Sequence, residues 1–139
     1  MRTLPFSVLI DTSAYYALSD PRDERRQSAL AIQQQLLARH YRLFTTNFIL
    51  AETHALLLTR LGYHFALQTL QAIDESSTEI IRITAADEQR ARAILIQYDD
   101  KAFSLTDATS FVVMERLGIP HAFTFDRNFL QYGIPPLMP

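Results

Sequence analysis

The chain has 139 residues with no Cys, no Trp and only three Gly, at Gly62, Gly118 and Gly133. Without Cys there is no disulfide scaffold, no Cys-ligated metal centre and no thiol chemistry, and an intracellular compartment is the simplest expectation. Glycines this scattered cannot form a G-x-G-x-x-G turn or a P-loop, so any phosphate must be held by side chains or metal ions.

Thirteen basic residues against fifteen acidic ones leave a net charge of −2, which does not mark a nucleic-acid binder. Lys101 is nevertheless the only Lys. An Arg-rich set suits bidentate phosphate recognition, although codon bias produces the same count. At 48% hydrophobic and 20% charged residues the composition is that of a folded globule. The apolar run at Val8-Leu9-Ile10 is too short for a signal peptide or a membrane span. We therefore expect one cytoplasmic domain over residues 1–139.

In chain order, Phe6 to Ile10 reads as a buried strand, followed by a helix-start signature at Asp11-Thr12-Ser13. Pro21 after Asp20 opens a helix expected to reach Arg39. Tyr41 to Thr45 is a second strand, and Thr46 and Asn47 cap a helix ended by Gly62. A further helix runs to about Ala72. Glu79 to Thr84 is a third strand and Ala85 to Tyr98 an amphipathic helix. Ser104 to Leu117 is another helix, stopped by Gly118 and Pro120, and His121 to Thr124 a fourth strand. The Pro-rich end after Gly133 offers a short edge piece. Strands separated by helices imply parallel pairing in a layered α/β/α fold, with functional groups at the carboxyl ends of the strands.

Four acids stand where apolar side chains belong. Asp11 closes the first strand, where it could equally be a helix N-cap. Glu52 is flanked at helical spacing by Phe48, Ile49, Ala55 and Leu56, which places it in a buried stripe. A carboxylate there needs an Arg partner, a metal or a proton-transfer role. Asp107 falls in the first turns of the last long helix, where the helix dipole alone could favour it. Asp126 follows the fourth strand, where turn chemistry is an alternative. In a right-handed parallel sheet all four can converge on one edge. Like charges sharing a small site raise one another's pKa, and a divalent cation removes that conflict. Oxygen-only ligands suit Mg²⁺ or Mn²⁺ rather than zinc. The four His residues, His40, His54, His64 and His121, form no spaced metal pair.

At these residues the sequence resembles a PIN-domain ribonuclease, closest to the VapC-type toxins. The motifs are Val8-Leu9-Ile10-Asp11-Thr12-Ser13, Thr46-Asn47-Phe48-Ile49-Leu50-Ala51-Glu52, Ser104-Leu105-Thr106-Asp107-Ala108 and Thr124-Phe125-Asp126-Arg127-Asn128-Phe129. Their order and spacing, rather than any one of them, carry the likeness. The resemblance implies a three-layer α/β/α sandwich with a parallel sheet of four to five strands ordered 3-2-1-4-5. It implies Mg²⁺- or Mn²⁺-dependent endonucleolytic hydrolysis of RNA, with Asp11, Glu52, Asp107 and Asp126 as catalytic metal ligands. Thr12 or Ser13, together with Thr124, would be the supporting hydroxyls. It further implies a homodimer and, for a toxin, an antitoxin that blocks the acidic groove by inserting an Arg that competes with metal. The helices expected at Pro21 to Arg39 and Asn47 to Ala72 would supply the dimer interface.

With the four acids offset by metal, thirteen basic residues face eleven acids and the remainder is +2. RNA could then be guided by Arg22, Arg25, Arg26 and Arg127, although Arg25 and Arg26 also suit a solvated helix face. Tyr15 and Tyr16 could stack on a base or pack in the core. A haloacid-dehalogenase-type phosphatase would want an Asp at position 13, where Ser stands. A response-regulator receiver would want an early acidic pair. The alternatives that remain are a PIN fold used as an RNA- or protein-binding scaffold, and an RNA-processing nuclease that is not a toxin.

Overall fold

A computed structural model describes residues 4–139; the expected domain therefore includes three residues outside those described. Strand β1 (Ser7–Ile10) is buried at every position, as a central parallel strand must be. It is followed by α1 (Thr12–Ser19), α2 (Arg26–Ala38) and β2 (Arg42–Thr46). Next come α3 (Asn47–Leu61), α4 (Tyr63–Glu75), β3 (Glu79–Ile81) and α5 (Ala85–Gln97). The chain continues through α6 (Leu105–Leu117), β4 (His121–Phe123) and α7 (Arg127–Tyr132). All pairings are parallel, in the order β3-β2-β1-β4. β1 is registered on β2 through Val8↔Leu43 and on β4 through Leu9↔Ala122.

The expected fifth strand reduces to one parallel bridge, Ala122↔Pro136, outside β4. Pro135 and Pro136 have no N–H to extend a ladder, and only Leu137 donates, to the Ala122 carbonyl at 3.0 Å. The helix expected from Pro21 begins instead at Arg26. Asp20 accepts from the Arg22 N–H at 2.9 Å and Asp23 from the Arg25 N–H at 2.8 Å. These two side-chain turns hold the segment out of helix. The third strand stops at Ile81, because the Ile83 N–H goes to Asn47 Oδ1 (2.8 Å) and Thr84 already caps α5. Helix α7, which the pattern did not reveal, is capped by Asp126.

α6 is buried at eight successive positions from Asp107 to Met114. It ends in a left-handed Gly118 (φ 69°), a conformation that a Cβ would disfavour. Phe111 stacks on Tyr132 at 4.3 Å and meets Phe129 edge-on at 5.1 Å. This aromatic cluster clamps α7 to α6, and so sets Asn128 beside Asp107.

Candidate active site

Three helices begin where the sheet's carboxyl edge ends, and each brings an acid there. Asp11 is the N-cap of α1, Asp107 the third residue of α6 and Asp126 the N-cap of α7. Asp11 is 3% exposed, and its Oδ2 accepts from Ser13 Oγ (2.9 Å), Thr124 Oγ1 (3.0 Å) and the Ser13 N–H (3.4 Å). Asp107 Oδ2 accepts from the Ser104 N–H (3.0 Å) and Asn128 Nδ2 (2.8 Å). Asp126 Oδ1 accepts from the Asn128 N–H (2.9 Å). In each carboxylate the hydrogen bonds from the described residues fall on one oxygen and leave the other for a further partner.

No cation among the described residues pairs with them. The ion pairs among the described residues engage Glu79, Asp87, Asp100 and Glu115 instead. Burial pushes Asp11 up to about 6; the Ser13 and Thr124 donors pull it down, and the charge of Asp107 pushes it further up. Burial likewise raises Asp107; donors from Ser104 and Asn128 oppose it, and the charge of Asp126 reinforces it.

Asp87 is an internal contrast. It occupies the same third-residue place in a capping box, Thr84 to Asp87, that Asp107 occupies in Ser104 to Asp107. There the carboxylate is closed by a two-pronged Arg116, with Nε at 3.0 Å from Oδ1 and an η-nitrogen at 2.9 Å from Oδ2. At Asp107 the corresponding neighbour is the neutral Asn128. The same cap is saturated in one place and open in the other.

The remaining expected site residues divide. Ser13 joins the acid site, since its hydroxyl also contacts Thr124 Oγ1 at 3.2 Å and accepts from the Phe125 N–H at 2.8 Å. Thr12 does not. Its Oγ1 donates to the Ile49 carbonyl (3.5 Å) and accepts from Thr53 Oγ1 (3.2 Å), tying α1 to α3. Glu52 requires a correction: it is exposed rather than within a buried stripe. α3 packs through Ile49, Thr53 and Leu57, and Glu52 lies one position off that row, on the turn that meets Thr12. Arg22 and Arg127 are exposed. Tyr15 is 7% exposed and belongs to the core, whereas half-buried Tyr16 lies under the Arg60 guanidinium at 5.3 Å. Asn128 and Asp87 were not singled out from the sequence. The Asp-x-Asn and Ser/Thr-x-x-Asp spacings were the signals that could have marked them.

Among the described residues, no three His, Asp or Glu side chains close around a single point as a full metal cage. The donor chemistry still fits a hard divalent ion. Mg²⁺ commonly takes one or two carboxylates and keeps water on its other positions. Buried, uncompensated carboxylates with one oxygen spare match that need.

A parallel α/β fold with an open acidic site at its carboxyl edge defines the class. Within it, the PIN domain family model matches residues 8–135, and the chain belongs to that family. The 23S rRNA-specific endonuclease VapC20 of Mycobacterium tuberculosis is 30% identical over 132 residues, which cover 95% of this chain and 98% of that protein. The crystal structure of VapC20, described as a Sarcin-Ricin loop cleaving toxin, superposes with a TM-score of 0.86 at 31% identity, covering 95% and 99% of the two chains. Ribonuclease VapC26 of the same organism is 26% identical over 121 residues, 87% of each chain. The fold is also shared with VapBC2 from Rickettsia felis, at a TM-score of 0.62 and 18% identity over 93% of each chain.

Proposed function

We propose that this protein is an endoribonuclease that hydrolyses RNA phosphodiester bonds with Mg²⁺ or Mn²⁺, acting as the toxin of a toxin–antitoxin pair. The observation that carries the reading is the set of three carboxylates, Asp11, Asp107 and Asp126, each with one oxygen uncommitted and none paired with a cation among the described residues. Descriptions of the relatives VapC20 and VapC26 as RNA-cleaving enzymes support it.

Asp11 and Asp107 would hold the ion, Asp126 would join them or orient the attacking water, and Glu52 would reach in from α3. When bound, the ion supplies a lowered water pKa and a counter-charge for the phosphate oxygens. The chain's own groups do the positioning. Ser13 and Thr124 fix the Asp11 carboxylate so that one lone-pair direction stays open, and Asn128 does the same for Asp107. Arg22 and Arg127, both exposed, would meet the RNA backbone.

A cognate antitoxin would block this acidic edge, and the free protein would pair as a homodimer through α3 and α4, where Leu58, Tyr63 and Phe65 are exposed. Among the described residues, no helix is long and apolar enough to cross a membrane; a cytoplasmic location fits the proposed RNA substrate. The test is cleavage of a structured rRNA fragment in Mg²⁺ or Mn²⁺. Activity should vanish in EDTA and in Asp11→Asn, whereas equal cleavage by wild type and variant would overturn the proposal.

A further inference from the structure

Next to the acid site lies a cavity of about 320 Å³, at the lower end of the range for small-ligand pockets, roughly 300 to 1,000 Å³. Thr124 and Asp126 belong to both. Its other walls include Phe125, Leu130, Leu137 and Met138, with Ser28 and Arg127. Leu130 is 59% and Met138 74% exposed, so the lining presents apolar surface to solvent.

The pocket is amphipathic in a particular way. The Arg25 guanidinium, outside the lining itself, sits 5.6 Å over the Phe125 ring, and Arg127 is one of the lining residues. Neither Arg joins an ion pair among the described residues. The Phe125 N–H is held by Ser13 Oγ, the same hydroxyl that donates to Asp11, so the ring and the acid share one anchor. Apolar walls, an Arg-covered aromatic ring and two cations with no ion-pair partner among the described residues suit a flat, π-faced group carried on a phosphate backbone.

We infer that this cavity takes an unstacked nucleobase flanking the scissile phosphodiester, which makes Phe125, Arg25 and Leu130 specificity-determining residues. The inference rests on the nuclease reading above and deepens it. Sequence-specific RNA recognition works on bases splayed from the helix, stacked on aromatic or guanidinium planes. An Arg–Phe pair one residue from a metal ligand would hold such a base while the adjacent phosphate meets the acids.

The test uses the full-length chain and the four nucleoside 5′-monophosphates as probes, with inorganic phosphate as control. In methyl NMR spectra, the Leu130, Leu137 and Met138 signals should move with at least one mononucleotide and not with phosphate. Phe125→Ala should abolish the movement. Leu130→Asp, at an exposed position, serves as a second variant should Phe125→Ala fold poorly. On a cleavable RNA, either substitution should raise KM about tenfold and reduce the preference for the flanking base, with kcat little changed. Unmoved methyl signals and an unchanged KM, in a protein that still cleaves RNA, would overturn the base pocket and leave the nuclease standing. Methyl shifts in a protein that cleaves nothing would support the pocket and overturn the nuclease.

Discussion

Asp11 is strained electrostatically where it stands, and that strain has a sign. Its folded pKa of about 6 exceeds the ordinary 3.8, so the native state binds the proton more tightly than the unfolded chain does. Metal-free protein therefore gains stability from this residue as pH falls from above 6 towards 4, and carries the full cost of the charge above 6. The difference corresponds to roughly 3 kcal/mol. Asp11→Asn should accordingly stabilise the metal-free protein at pH 7.5 by up to about that amount, with the gain gone near pH 4. Urea denaturation in EDTA at both pH values reads this directly, and a destabilised variant at pH 7.5 would refute it. Four acids stood out in the sequence because each was adjacent to apolar residues or a strand end. Glu52 shows the limit of that cue. Apolar neighbours at helical spacing cannot say which stripe of a mostly apolar helix faces inward, and the row through Ile49, Thr53 and Leu57 took the core. The choice between Thr12 and Ser13 was likewise closed to sequence, since it depends on rotation of α1 relative to β4.

Elements, rather than single residues, place the site. α7 is only six residues long, too short to show a periodic pattern, yet it carries Asn128 to Asp107. Its anchor is Phe129, fully buried against Phe111. Phe129→Ala should destabilise the fold by roughly 3–5 kcal/mol. In the fraction that remains folded it should lower activity, because Asn128 loses its seat; thermal melts and single-turnover cleavage measure the two effects. The long strongly marked segments, β1, α3 and α6, were readable because burial on all sides or a Thr and Ser cap leaves an unmistakable trace. Boundaries failed where side chains compete with the backbone. Asp20 and Asp23 hold the turns before α2, and the Pro135-Pro136 pair reduces an expected strand to a single bridge.

At the scale of the whole molecule, a net charge of −2 conceals an uneven distribution. Acids with no ion-pair partner among the described residues gather at one edge of the sheet, while Arg25 lies over Phe125 and Arg127 follows Asp126 beside them. Such a site should couple metal binding to folding by mass action. At a hundredfold excess over its Kd, Mg²⁺ or Mn²⁺ should add about 2.7 kcal/mol and raise the melting midpoint by several degrees. Asp11→Asn should lose most of this gain, as calorimetry with and without EDTA would record. One cooperative transition is expected if the chain is a single domain.

On the proposed function, an open carboxylate, not merely a buried one, marks the reacting centre. Asp87 and Asp107 share one capping geometry and differ in whether an Arg closes the carboxylate. The most direct measurement is the rate of RNA cleavage by Asp87→Asn and Asp107→Asn, side by side with wild type in Mn²⁺. Asp87→Asn should lose about 2 kcal/mol of stability with its Arg116 pair yet cleave at close to the wild-type rate. Asp107→Asn should remain folded and be inactive. Equal activity in the two variants, or loss confined to Asp87→Asn, would contradict it.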